Sequence, residues 1–163
     1  MFSCLKKKKV YIEAIQKPSY PRWYNRALTM VGTGEIAGSV HNKTIQAMYD
    51  AVVGKRYGDE VPWCAAFVGF CLSEVGYRTT GSLLARSYMN YGKEVAEPEV
   101  GDIVVYWRDR EDGWKGHVGF FVKFDGDYIV TLGGNQDDAV NFKRYPIDMV
   151  LSYRRVTNEE KKA

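Results

Sequence analysis

Residues 61–76, VPWCAAFVGFCLSEVG, place a cysteine behind a proline and a tryptophan, at the head of an apolar run of helical length. Asp59 and Glu60 just upstream favour a helix start. Pro62 is tolerated only in a first turn, and Gly76 supplies the stop. Cys64 therefore falls in or just past the first turn, where unpaired N–H groups and the positive end of the helix dipole favour a thiolate. Cys71 falls two turns deeper, among Phe67, Val68, Leu72 and Val75. Those are the surroundings of a small buried hydrophobe. On local grounds alone, Cys64 is compatible both with packing and with nucleophilic chemistry.

Working outward, the WYNRALTMVGTGEIAG segment from Trp23 reads as a helix that buries Ala27, Met30 and Val31 and breaks over Gly32 to Gly38. The TIQAMYDAVV segment spaces Ile45, Met48, Tyr49 and Val52 at helical intervals and stops at Gly54. SLLARSYMNYG reads as a fourth helix, ending at Gly92. Beyond Pro98 the pattern changes. DIVVYW, HVGFFVKF, DYIVTLG, AVNFK and VLSYRR are β-branched and aromatic runs separated by turn residues. Helices first and an antiparallel meander afterwards predict an α+β fold with the helices packed on the sheet.

The 163 residues suffice for one domain, and no internal repeat or long linker divides them. The expected organisation is a basic extension over residues 1–22, a folded domain over 23–157 and a polar tail over 158–163. The formal charge of +3 is carried by one end, because Lys6 to Lys9 contribute +4 and leave the remainder at −1. Such a block reads as a solvated tail or as a tether to an anionic polymer. No basic face with interleaved aromatics points to nucleic acid. No apolar run approaches the roughly 20 residues that span a bilayer. The MFSCLKKKK start has its charges after the apolar residues, unlike a secretory signal. Cys4, Cys64 and Cys71 lack the spacing of a disulfide framework or a zinc site. Free thiols in a reducing cytoplasm are therefore expected, with no cofactor and no metal. Asp59-Glu60 and Asp137-Asp138 lack the alternating oxygen ligands of a calcium loop and read as solvated acidic pairs.

A nucleophilic thiol needs a base, and the chain has two histidines. His41 follows the Gly-rich break and reads as a surface or capping residue. His117 opens a strand between Gly116 and Gly119 and is the favoured base. An orienting acceptor for the imidazole is sought across the Asp125-Gly126 hairpin. A three-residue loop pairs Phe124 with Tyr128 and sets His117 opposite Asn135. A two-residue loop would set Gly134 opposite instead, and the Gly133-Gly134 pair could absorb a residue as a bulge. Asn135 is thus a candidate, with a turn role as the alternative. Trp63, Trp107 and Trp114 lie near these motifs and are candidates for aromatic walls or for packing.

WCAAFVGF, ARSYMNYGK, GDIVVY, GHVGFF, LGGNQDDAVNF and the YRR ending together resemble the peptidoglycan-cleaving cysteine hydrolases of the CHAP and NlpC/P60 superfamily, in particular a phage-lysin-like subgroup. The likeness runs from about Trp23 to Arg155. It implies a papain-like minimal fold, with Cys64 as nucleophile, His117 as base and Asn135 as third member. Many relatives carry Glu-Gln-Asn where this chain reads Gly133-Gly134-Asn135, so the acidic residue of that segment is missing here. Glu35 and Asn42 also match the subgroup and are secondary candidates for lining the cleft, or plain caps.

The expected function is that of an endolysin-like peptidoglycan hydrolase. It would cut an amide bond in the stem peptide or at the muramoyl-L-alanine linkage through a thioester, with the Cys64 N–H as an oxyanion donor. Expected partners are bacterial peptidoglycan and a membrane pore protein for release from the host cytoplasm. A virion-borne lysin is the other route, and the expected state is a monomer. Two rivals stay open: an acyltransferase or protease using the same triad, and a catalytically silent glycan- or peptide-binding module of a phage particle.

Overall fold

A computed structural model describes residues 19–163. The lysine block and Cys4 lie outside the described residues, as does most of the expected extension. Residues 19–22 already belong to the domain. Pro21 precedes the first helix, α1 (Arg22–Thr29), and Tyr20 packs edge-on against Tyr24. Helix α2 (Lys43–Val53) buries Ile45, Met48, Tyr49 and Val52, the four residues whose spacing marks it in the sequence. It ends at Gly54 with φ +66°, the left-handed closure that glycine adopts without a Cβ penalty.

Helix α3 (Cys64–Glu74) is the opening stretch, and every residue from Cys64 to Leu72 is buried. A helix apolar on all sides has no solvent face to present. Accordingly α3 packs against α1, α2 and two strands of the sheet at once. Each large side chain so withdrawn from water contributes about 1.5–3 kcal/mol. The expected helix start needs correcting. Trp63 occupies the cap position and Cys64 is the first helical residue, so Pro62 stands before the helix instead of in its first turn. The expected fourth helix is a short 3-10 segment, Ala85–Asn90.

The sheet consists of β1 (Lys93–Glu94), β2 (Ile103–Trp107), β3 (Gly116–Asp125), β4 (Tyr128–Gln136), β5 (Ala139–Pro146) and β6 (Val150–Arg155), in the order β1-β6-β2-β3-β4-β5. Every pairing is antiparallel. The fold is α+β, with the helices against one face. Val118, Phe120, Leu132 and Val140 meet the helices there, while Val104, Tyr106, Phe121, Ile129 and Tyr145 form a smaller cluster on the other face. The last residues are not a free tail. Arg78 N–H donates to Glu160 O, Lys162 N–H donates to Gly76 O, and both bonds close over the end of α3. No helix among the described residues is long and apolar enough to cross a membrane.

Candidate active site

Cys64 and His117 line one cleft of about 400 Å³, with Asn135, Arg108, Trp114 and Leu84 among its other walls. Helix α3 delivers the thiol at its first residue, and the start of β3 delivers the imidazole. No side chain caps the helix end, so its first N–H groups are free for a ligand oxygen. Both reactive groups are nearly inaccessible, at 6% exposure for Cys64 and 1% for His117.

Burial decides the resting protonation. It pushes the Cys64 thiol up, although the N–H groups of Val118 and Ala65 and the charge of Arg108 pull the other way. Burial drives His117 down to about 3, with Gln136 opposing and Arg108 adding to the fall. The free site therefore rests as a thiol beside a neutral imidazole. The thiolate expected from the helix dipole alone is outweighed by desolvation.

The imidazole is held from three sides. His117 stacks on Tyr145 at 4.9 Å between ring centroids and on Tyr106 at 6.3 Å. Its Nε2 lies 3.0 Å from Oε1 of Gln136. The Gln136 amide orientation follows from its other end, where Nε2 donates to Asn141 O at 2.8 Å and to Asn141 Oδ1 at 3.0 Å. Oε1 is thus the acceptor, Nε2 of His117 carries the proton, and Nδ1 is left as the basic nitrogen.

This corrects the expected partner. Asn135 lines the cleft, but its Nδ2 donates to Oε1 of Glu35 at 3.3 Å, and it holds no bond to His117. The exchange arises within β4 and not from the hairpin register. The hairpin turn is Gly126-Asp127, which pairs Asp125 with Tyr128. A bulge at Val122 then brings Phe121 opposite Thr131. That is the register the three-residue loop would have given, so the turn and the bulge cancel. Further along β4, Asn135 takes φ +54°, a left-handed conformation that asparagine tolerates better than most residues. That kink turns the next residue, Gln136, onto the imidazole side. Gly133 leaves it room: a Cβ there would stand 2.4 Å from Gln136 Oε1 and 3.4 Å from His117 Nε2. Gln136 so fills the space beside the imidazole into which a side chain at position 133 would project.

The other candidates separate. Trp63 is fully buried, donates to Glu35 Oε1 at 2.8 Å, and is core and not a cleft wall. A Cβ on Gly134 would come within 2.7 Å of its ring, so the bare backbone of β4 is what lets the head of α3 approach. Glu35 joins Trp63 to Asn135 from behind the cleft. Asn42 caps α2, accepting from Thr44 N–H at 2.8 Å and donating to Gly34 O at 2.9 Å; it does not line the cleft. Trp107 bonds to Asp148 O away from the site, while Trp114 stands at the mouth, 69% exposed.

Asp59 is not a solvated acid. Burial would raise its carboxyl, but N–H donors from Asn42 and Ile36 and the Gln46 amide outweigh that and hold it below the usual range. It thereby ties the Glu35 loop to the segment leading into Cys64. His41 lies beside it, Nδ1 to Oδ1 at 3.7 Å. Asp137 and Asp138 are the two residues of the β4–β5 turn, with φ +52° and +61°. That is the primed type of hairpin turn. Among the described residues no three metal-ligating side chains cluster.

Two residues of the site carried no signal in the sequence. Arg86 donates to Lys115 O, Glu111 O and Arg110 O at 2.8–2.9 Å, clamping the hairpin between β2 and β3 that forms one wall. Arg108 emerges from that hairpin into the cleft. Arg86 lies inside the ARSYMNYGK motif, but only the fold brings it within reach of the hairpin.

Residues 56–135 match the family model of the CHAP domain. This segment, just under half of the chain, is similar to a CHAP domain. That family is of peptidoglycan-hydrolase type. Cys64, His117 and Asn135 all fall within the matched segment, and Gln136 follows it directly. Comparison with the curated proteins finds no match. Among solved structures, a protein described as similar to a lipoprotein of the NLP/P60 family, from Staphylococcus aureus subsp. aureus Mu50, superposes with a TM-score of 0.47 at 12% identity. The alignment covers 90% of this chain and 47% of that one, so the chain spans about half that protein's length.

The buried imidazole makes the fold acid-sensitive. Unfolded, His117 takes up a proton near 6.5; folded, only near 3. The unfolded state binds more protons between those values, so stability falls as pH drops through that window. Between pH 7 and pH 5, above most carboxylate titration, the expected loss is about 2 kcal/mol. Urea melts at the two pH values check this, with His117→Gln expected to flatten the difference. An equal loss in both proteins would assign it elsewhere.

Proposed function

We propose that this CHAP domain hydrolyses an amide bond of bacterial peptidoglycan, in the stem peptide or at the muramoyl-L-alanine linkage, in the manner of an endolysin. The observation that carries the reading is the pairing, in one cleft, of a thiol at an uncapped helix start with an imidazole whose Nδ1 is left basic by the Gln136 bond. Cys64 Sγ adds to the substrate carbonyl while His117 Nδ1 takes the thiol proton. The carbonyl oxygen gains the negative charge and accepts from the Cys64 N–H at the helix start. The C–N bond then breaks, the amine leaves with the proton from His117, and a thioester remains. Water, deprotonated by the same nitrogen, releases the acid and restores the thiol. Burial that disfavours charge on both resting groups is consistent with proton transfer being coupled to attack.

The test is direct. Purified peptidoglycan from Gram-negative and Gram-positive cells is incubated with the protein under reducing conditions, and released fragments are identified by mass spectrometry. New termini name the bond. Release from neither wall would remove the hydrolase reading and favour a domain that only docks its ligand. Action from within a phage-infected cell after passage through a membrane pore fits this chemistry and belongs to the same proposal.

A further inference from the structure

The cleft is lined by an arginine that forms no ion pair with the described residues. On the hairpin between β2 and β3, Arg110 pairs with Asp112 at 2.7 Å and Lys115 pairs with Asp109 at 2.7 Å. Arg108, on the same hairpin, pairs with no carboxylate among the described residues, although Asp109 is its neighbour in the chain. None of the residues lining the cleft is acidic.

The guanidinium also points inward. It lines the cleft with Cys64 and His117 while staying solvent-exposed, and its charge is felt by Cys64, His117 and Tyr145. Its base is fixed, since Arg86 holds the backbone on both sides of the hairpin tip through three hydrogen bonds. An arginine so placed presents a planar fork of donors, the geometry that a carboxylate matches with two parallel bonds. Beside it, Trp114 and Leu84 offer exposed apolar surface, at 69% and 52% exposure. That surface suits the aliphatic part of a residue whose acidic end is taken by the arginine.

We infer that Arg108 is a specificity residue that binds a free carboxylate of the substrate, on a residue next to the amide bond attacked by Cys64. The inference rests on the hydrolase reading above and adds the substrate class: acidic stem peptides, in preference to those whose side carboxylates are amidated. Arg108 takes no part in the covalent steps.

The experiment uses one preparation of purified peptidoglycan, half of it treated with carbodiimide and ammonium to convert its carboxylates to amides. Wild type, Arg108→Gln and Arg108→Lys are compared on both halves. Wild type is expected to show a KM about tenfold or more higher on the amidated wall. Arg108→Gln should raise KM on the untreated wall until the two halves are cut alike, and Arg108→Lys should keep part of the preference. Because Arg108 is exposed, both variants should melt with the wild type, which separates this effect from misfolding. Equal cleavage of both halves by wild type would overturn the inference and leave the hydrolase reading standing. A loss in Arg108→Gln that is the same on both halves would also overturn it, and would confine Arg108 to an electrostatic effect on the thiol and imidazole. If wild type cuts neither half, the hydrolase reading fails and this inference falls with it.

Discussion

Replacing Cys64 with serine is expected to lower kcat/KM on purified peptidoglycan by at least about a thousandfold, with little change in stability. The swap changes one atom in a tight place. Serine Oγ is smaller than sulfur, so the packing at the head of α3 is preserved, and the cost to folding should stay near 1 kcal/mol. The chemistry is another matter. A serine hydroxyl is far less acidic than a thiol, and it would depend entirely on His117 for activation. Oxygen gives up its proton far less readily than sulfur, so the same imidazole activates it much less. The measurement is steady-state release of wall fragments, set beside a thermal melt of each protein. Activity within tenfold of wild type in Cys64→Ser would show that Cys64 is not the nucleophile.

The second large effect concerns the partner of the imidazole. Gln136→Ala is expected to lower kcat by about a hundredfold with little change in KM, since it removes the bond that sets the His117 tautomer and ring position. Some stability should go too. The same amide satisfies Asn141 O and Asn141 Oδ1, and leaving buried acceptors unmatched costs about 1–3 kcal/mol. The melt therefore accompanies the kinetics, and assays run well below the variant's transition. Asn135→Ala is the contrast. It keeps the His117–Gln136 bond and loses a cleft-wall amide held by Glu35, so its effect should appear in KM and leave kcat within about tenfold. The reverse order, with kcat collapsing in Asn135→Ala and not in Gln136→Ala, would return the orienting role to Asn135.

How far these roles could be read from the chain depends on the range of the interaction that decides each. Helix α2 is written in four apolar residues one turn apart, and they are the four it buries. The strand runs are equally local, because alternation and β-branching act residue by residue. The short helix Ala85–Asn90 was harder, since 3-10 and α-helical turns share the same local preferences and packing under β2 and β3 chooses between them.

The site was legible in its reactive groups and not in its supports. A cysteine at the head of an apolar helix and a histidine opening a strand are positions along the chain, visible before folding. Gln136 was hidden because the residue facing His117 depends on an interruption of β4. The turn offset and the bulge at Val122 cancel, and the left-handed turn at Asn135 then exchanges which neighbour looks inward. Asp59 was misplaced, and Trp63 and Asn42 were left between two readings, for a related reason. Whether an acid is solvated, an indole is a wall or an amide is a cap is a question about the neighbours, and theirs come from segments 17 to 28 residues away or from a helix start that the cap itself creates.

The sequence by itself determined the α+β layout, the helix that bears Cys64, the strand that bears His117 and the order in which they come, because periodicity and turn chemistry are local. Only the tertiary structure decided that the thiol and imidazole rest uncharged, that Gln136 holds the base, and that Arg108 stands unpaired over the cleft. Desolvation, register and the pairing of charges are properties of residues brought together from distant parts of the chain.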